Sequence, residues 1–352
     1  MTAHIHAIGT AVPAHDIHQA FIDWAAPRVR EGTHRKLFDR MSARSGIRHR
    51  WSVLPVAQES GSLGEPGGYY SGAMPTTAAR MSVYAQEAPK LSLRAIACLS
   101  EKSSLAGITH LVVASCTGFV APGIDQIIAR TLGLPGSVER TLIGFMGCYA
   151  AVAALRTAHH IARSDPAARI LVVTVELSTL HLQDAETIEP MLAMLQFGDG
   201  AAAAIVSSDP DGMAMENFFA ATLPDSDTLI RWTIGDHGFA MHLSGEVPGR
   251  ISRALNDEDF RAAILKGRDP SDIAAWAVHA GGRSILDAVE NGLSLPQGAL
   301  AEARAVLAEN GNMSSATLMF VLERLMAERK ESGLAMAFGP GLAAEGFAFR
   351  AA

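Results

Sequence analysis

The sequence predicts an α/β protein with a largely parallel core sheet, arranged as two similar halves. Three observations carry this expectation. Short β-branched runs alternate with amphipathic, alanine-rich stretches, the pattern of strand–helix–strand units. The halves echo each other in the spacing of their chemistry-bearing residues. And 352 residues, 49% hydrophobic and 18% charged, suffice for two packed domains or one large one.

Strands are expected at His110–Ser115, Ile170–Val175, Ala201–Val206 and Ala275–Val278. Helices are expected at Thr76–Leu99, Asp125–Leu132, Tyr149–Arg163, Arg283–Gly292 and Ser315–Lys330. The Gly- and Ser-rich stretch Glu59–Met74 reads as a surface loop. In the first half, strand Leu111–Ser115 ends at Cys116, and 32 residues later Cys148 opens a helix. In the second, strand Ala275–Val278 ends at His279, and 33 residues later Asn312 precedes a helix. Each half runs on to a further apolar strand, Ile170–Glu176 in one and Leu334–Phe338 in the other. A division near Ser207–Gly212 gives halves 1–207 and 208–352.

Composition narrows the function classes. The 29 Lys and Arg against 36 Asp and Glu leave a formal charge of −7, which argues against general nucleic-acid binding. Cys98, Cys116 and Cys148 form neither a disulfide framework nor a zinc motif, and a reducing cytoplasm fits best. The N-terminus lacks a signal-peptide pattern, and no apolar run approaches the length of a membrane span. No His/Glu or His/Asp cluster has metal-ligand spacing.

Three residues can do nucleophilic chemistry. Cys148 lies in Gly144-Phe-Met-Gly-Cys-Tyr-Ala-Ala, where an apolar segment turns into a helix. There, helix-terminal N–H groups and the macrodipole favour a thiolate. His279, in Val278-His-Ala-Gly-Gly-Arg-Ser, ends a strand on the side where α/β proteins place their sites. It can pair with a thiolate or donate to an oxyanion. Asn312, in Asn310-Gly-Asn-Met-Ser-Ser-Ala, offers an amide N–H to the same oxyanion. Singly, each has a plainer reading: a small buried hydrophobe, a loop histidine, a turn or cap residue. Together, at strand–helix junctions in both halves, they suit acyl transfer through a thioester. Phe197-Gly-Asp-Gly-Ala-Ala-Ala and Phe338-Gly-Pro-Gly-Leu lack both nucleotide-binding spacings and read as tight turns bringing backbone close to a cavity.

At these residues the chain resembles the chalcone and stilbene synthase family, the type III polyketide synthases of the thiolase-like superfamily. The resemblance runs nearly end to end. It includes Phe38-Asp-Arg-Met-Ser-Ala-Arg-Ser-Gly-Ile-Arg-His-Arg, Ser115-Cys-Thr-Gly-Phe-Val-Ala-Pro-Gly-Ile-Asp, Gly147-Cys-Tyr-Ala, Phe197-Gly-Asp-Gly-Ala-Ala-Ala, His279-Ala-Gly-Gly-Arg-Ser, Gly311-Asn-Met-Ser-Ser-Ala and Phe338-Gly-Pro-Gly. It implies a five-layered αβαβα fold from two duplicated halves, a homodimer, and malonyl-CoA and acyl-CoA as substrates with no metal or redox cofactor. By the same resemblance Cys148 carries the acyl chain. His279 and Asn312 stabilise the enolate of decarboxylating malonyl-CoA and the tetrahedral oxyanion. Phe197 is an aromatic gatekeeper. Arg44, Arg48 and Arg50 are candidates for the CoA phosphates, with a solvated face as the alternative.

Departures from the plant pattern point to the bacterial type. The second gatekeeper, normally Phe, aligns with Met241. Small threonines align with Cys116 and His181, while Ser178 and Ser314 keep the usual polar character and Ala337 replaces a glycine. The expected product is an alkylpyrone, alkylresorcinol or phloroglucinol, with an aliphatic starter favoured. Two rivals stand beside this: a β-ketoacyl synthase III-like single condensation, and a non-catalytic CoA-binding protein.

Overall fold

A computed structural model of the chain describes residues 2–29, 32–56, 63–64, 68–185 and 187–351. Residues 59–62 and 65–67 of the expected loop lie outside these; the part from 68 to 74 is turns and bends. The first half contains strands β1 (Ala3–Ala11), β2 (His15–Asp16), β3 (Trp51–Ser52), β4 (His110–Ser115), β5 (Glu139–Gly144), β6 (Arg169–Leu177) and β7 (Asp199–Ser207). Its helices are α1 (His18–Ala25), α2 (Thr33–Arg44), α3 (Thr77–Ser100), α4 (Ile124–Thr131), α5 (Ala150–Ser164) and α6 (Ile188–Met194). The second half contains β8 (Met213–Thr222), β9 (Ile230–Gly235), β10 (Gly238–Leu243), β11 (Ala275–Val278), β12 (Ser332–Gly339) and β13 (Ala343–Ala351). Its helices are α7 (Val247–Asn256), α8 (Glu258–Leu265), α9 (Arg283–Gly292), α10 (Ala301–Asn310) and α11 (Ser315–Ala327).

Nine strands join in the order β11-β12-β13-β8-β1-β7-β6-β4-β5. The duplication shows in their sense. In the first half β4 runs parallel to β6, which pairs antiparallel with β7, which pairs antiparallel with β1. In the second half β11, β12, β13 and β8 repeat this pattern, parallel and then antiparallel twice. The expectation of a largely parallel sheet is thereby corrected. β12 and β13 are joined by the short turn Pro340–Leu342, and a link that short forces antiparallel pairing. Residues Ala3–Ile5 of β1 also pair with Met213–Met215 of β8, so one strand joins the two halves.

Strand periodicity sorts side chains into layers. Leu111, Val113, Leu171 and Val173 join the core against α3, whereas Val112, Ala114, Ile170 and Val172 join the core holding α5 and α11. Helices α5 and α11 form the middle layer between the two halves of the sheet, and α7–α10 cover the far side of the second half. This is the five-layered αβαβα arrangement. The middle helix α5 presents Ala150, Ala151, Ala154, Ala158 and Ala162, all buried, and such small residues let two sheets close on one helix at native density.

Helix ends follow local rules. Thr76 caps α3 by accepting the Ala79 N–H. α5 starts at Ala150, one residue after the expected Tyr149, because Gly147–Tyr149 forms a tighter single turn. α11 stops at Ala327, three residues short of Lys330; Arg329 at φ 53° is left-handed and cannot continue a helix.

Candidate active site

The middle-layer helices point their N-terminal ends at one place. Cys148 lies two residues before α5, and Asn312 lies three residues before α11. Both helix dipoles therefore favour negative charge between them. The Cys148 thiol is within hydrogen-bonding reach of the Ser314 and Asn312 side chains. Asn312 is fixed twice: its Nδ2 donates to the Gly281 carbonyl at 3.1 Å, and its Oδ1 accepts the Ser314 N–H at 2.8 Å. Ser314 holds an unfavourable left-handed φ of 47°, a strain retained where it sets the Asn312 loop. His279 follows β11, its backbone N–H bonded to the Met336 carbonyl at 2.8 Å, and its ring lies against Gly281. Neither of its ring nitrogens has a hydrogen-bond partner among the described residues. Cys148, His279 and Asn312 are 8, 2 and 2% exposed.

Two glycines make the nucleophile turn possible. Gly147 sits at φ 78°, and a Cβ there would lie 2.2 Å from Pro340 Cδ. A Cβ on Gly339 would lie 2.6 Å from the Tyr149 ring and 3.3 Å from the Cys148 nitrogen. The Phe338-Gly-Pro-Gly turn thus packs directly on the nucleophile.

The electrostatics of the resting site differ from the thiolate expected at a helix terminus. Burial pushes the Cys148 thiol up to about 12, opposed by its hydrogen bonds with Ser314 and Asn312. Burial alone pushes the His279 imidazole down to about 3. Desolvation dominates both shifts and favours the neutral form of each group.

Behind this pair lies a carboxylate that sequence reading passed over. Glu176 is the penultimate residue of β6, fully buried. Its Oε2 accepts the Cys116 N–H at 2.9 Å and the Thr117 hydroxyl at 2.8 Å, and its Oε1 accepts the Ser315 hydroxyl at 2.5 Å. It ties β4, β6 and α11 together. Burial raises it to about 7, against the pull of those hydrogen bonds. A charged residue closing the apolar run Ile170–Val175 was the available signal. Cys116 is packed rather than free: its sulfur accepts the Gly147 N–H at 2.9 Å, and burial raises its thiol well above the ordinary value.

Two cavities flank the centre. The inner one spans about 630 Å³ counting the open space at its mouth and is lined by Phe197, Ser178, His181 and Met241 together with Arg50, Tyr70, Trp232 and Phe239. Phe197 also bridges to Asn312 through backbone pairing, which places it between the nucleophile and this space. His181 is fully bonded: Nε2 to the Thr117 carbonyl at 2.7 Å, Nδ1 to the Phe239 N–H at 3.0 Å, its ring stacked on Phe239 at 4.2 Å. It is a wall of the cavity held neutral, its pKa lowered to about 4 by burial. The outer cavity, about 1600 Å³ with its open mouth, is lined by Gln196, Gly281, Gly282, Arg44 and Arg283. Cys148 and His279 line neither; Phe197 lines the inner space, and Gln196, Gly281 and Gly282 the outer.

The arginine expectation divides. Arg44 is exposed at the outer mouth, and its carbonyl accepts from Arg283 Nη1 at 3.3 Å. Arg283 is a second cation there, not singled out from sequence. Arg48 is exposed but lines neither cavity. Arg50 is corrected outright. It is 1% exposed, bonded to His18 Nδ1 and to the Met194 and Phe197 carbonyls. Such a group cannot meet a solvent-borne phosphate. A run of basic residues carries no information on which one turns inward.

Comparison with known proteins settles the class. Residues 1–210 match the chalcone and stilbene synthase N-terminal domain family and residues 214–352 its C-terminal domain family. The chain belongs to the chalcone and stilbene synthases, the type III polyketide synthase family. Among solved structures it is similar to PKS-I from the brown alga Ectocarpus siliculosus, at 28% identity and a TM-score of 0.89, covering 100% of this chain and 98% of that one. It is also similar to the C-terminal type III polyketide synthase domain of Steely1, a type I/III hybrid from Dictyostelium, at 25% identity and a TM-score of 0.88, covering 100% and 99%.

Proposed function

We propose that this protein condenses an acyl-CoA starter with malonyl-CoA through a thioester on Cys148, and extends the chain repeatedly to a polyketide such as an alkylpyrone, alkylresorcinol or phloroglucinol. The observation that carries this reading is the meeting of Cys148, Asn312 and Ser314 at two converging helix ends, with the His279 ring, unpartnered among the described residues, against Gly281, whose carbonyl Asn312 bonds.

The chemistry follows from two neutral partners. As the starter carbonyl arrives, the Cys148 proton passes to His279, sulfur bonds to carbon, and the C–S bond to CoA breaks. CoA leaves as the thiol, with the proton returned by His279. For extension, the malonyl C–C bond breaks, carbon dioxide departs, and the electron pair remains as an enolate. The free N–H of His279 and the second Nδ2–H of Asn312 are the donors for its oxygen. Neither is an acid strong enough to quench the carbanion, and burial keeps water away. The enolate carbon attacks the Cys148 thioester, and Cys148 leaves as thiolate, ready for the next acyl transfer.

CoA enters by the outer cavity, its phosphates near Arg44 and Arg283. The working unit is a homodimer in the cytoplasm. Edge strand β5 has an open side, and Leu142 and Phe119 are exposed near it, a surface suited to a second copy. The reaction needs no metal or redox group.

Incubation with malonyl-CoA and a panel of acyl-CoAs, followed by mass spectrometry, tests the proposal. Products carrying two or more added two-carbon units are expected. A single added unit delivered on an acyl carrier protein would replace this reading with the β-ketoacyl synthase one.

A further inference from the structure

Three buried polar atoms on residues lining the inner cavity lack any hydrogen-bond partner among the described residues: Arg50 Nη2, Trp232 Nε1 and Ser178 Oγ. The other polar side chains of that wall are occupied. Tyr70 donates to the Thr179 carbonyl at 2.6 Å, the Thr179 hydroxyl donates to Asp199 at 2.7 Å, and Ser52 shares a hydrogen with Thr179 at 2.7 Å. Two of the three residues touch the Phe197 gate, and Ser178 lines the same cavity. Arg50 Nη1 donates to the Phe197 carbonyl at 2.8 Å, and the Trp232 ring packs edge-on to the Phe197 ring at 6.1 Å.

A guanidinium nitrogen and an indole nitrogen can only donate, so nothing but an acceptor satisfies them. Buried donors left without acceptors are costly, and native structures rarely keep them without a purpose. The Arg50 guanidinium bonds two carbonyls and an imidazole, while the Asp16 and Asp199 carboxylates favour its charge without bonding its Nη2.

We propose that Arg50, Trp232 and Ser178 form a donor wall that reads oxygen atoms on the acyl chain, making oxygen-bearing acyl groups the substrate class of this cavity. These are chains with keto, hydroxyl or carboxylate oxygen beyond the thioester, as malonyl-derived chains have. A saturated alkyl chain has no acceptor and leaves the wall unsatisfied. The inference rests on the polyketide synthase reading and departs from the aliphatic starter favoured by sequence. Trp232 and Arg50 thereby become specificity-determining residues.

The test separates this inference from the reading beneath it by following acylation of Cys148 itself. Single-turnover acylation is measured by intact-protein mass spectrometry with two length-matched pairs, 5-oxohexanoyl-CoA against hexanoyl-CoA and 7-oxooctanoyl-CoA against octanoyl-CoA. The wild-type enzyme is expected to favour the oxo member of at least one pair by about tenfold or more. Trp232→Phe, which keeps a ring and removes the donor, and Ser178→Ala should each bring that ratio toward one. Arg50→Met carries a folding risk because Arg50 supports Phe197, so the two milder variants bear the weight. Equal rates within both pairs in the wild type, or an unchanged ratio in both variants, overturns the donor wall while leaving the nucleophile intact. Absence of acylation by all four thioesters overturns the Cys148 assignment and the donor wall with it.

Discussion

At the scale of single residues, the site works by withholding charge until substrate arrives. Burial favours a resting thiol at Cys148 and a neutral imidazole at His279, and on the proposed mechanism the first proton transfer then accompanies attack. Cys148→Ala should abolish both the acyl-enzyme and all condensation, read by intact mass and product analysis. His279→Gln should slow malonyl-CoA decarboxylation by about 10²–10³-fold, the usual cost of losing one oxyanion donor. Carbon dioxide release with the protein otherwise intact measures this. In the absence of substrate, iodoacetamide labelling of Cys148 should keep rising with pH through 9, because its thiol titrates near 12. A plateau below pH 7 would mean a preformed thiolate. The cysteine, histidine and asparagine were readable in sequence because each follows a recognisable strand end or opens a helix. Arg50 and Glu176 were not, since burial of a charged side chain depends on partners far away in the chain: Met194 and Phe197 for one, Thr117 and Ser315 for the other.

At the scale of elements, two turns and a hairpin set the geometry. Gly147→Ala adds a Cβ at a left-handed φ and against Pro340. It should destabilise the fold by about 1 kcal/mol or more in urea unfolding and displace Cys148, so that acylation falls more than stability does. The β9–β10 hairpin pairs Met241 with Trp232, both lining the inner cavity. Met241→Phe should narrow starter choice in competition with mixed acyl-CoAs; an unchanged product profile would remove Met241 from the wall. Strands His110–Ser115 and Ala275–Val278 and helix Arg283–Gly292 were legible to the residue. β1, β8 and the hairpin were not, because β8 and β9 lack the clean hydrophobic alternation that marks a strand in sequence.

At the scale of the whole molecule, buried ionisable groups govern pH response. Burial lowers His279 to about 3 and His18, His159 and His181 to about 4. Unfolding frees each to take a proton near 6.5, so their contribution is full above that pH and is lost as pH falls through about 4. Glu176 and Asp199, raised to about 7 by burial, act oppositely: their contribution is full below the ordinary carboxylate range and lost as pH rises through 7. Four histidines against two carboxylates make the urea midpoint fall between pH 7 and pH 5. A midpoint that rises over that interval would contradict these environments. The duplication was visible as a spacing echo, since duplicated strand–helix units place their reactive residues at matching steps, while the five-layered plan came only with the family resemblance. The antiparallel half of each sheet was hidden, because pairing sense is decided by connections rather than by strand composition.

The first strand has a consequence of its own. Ala3–Ala11 is zipped to β7 along its length and to β8 at its start, so among the described strands it joins the sheets of both halves. The sulfur and its histidine and asparagine partners belong to different halves. The alignment of an interior reaction is therefore supported from the very front of the chain as well as by the Glu176–Ser315 bond and the middle helices. Shaving off those opening residues should part the sheet between β7 and β8 and strip Ile5 and Ile8 from the core that the halves share, so catalysis and urea resistance should fall together.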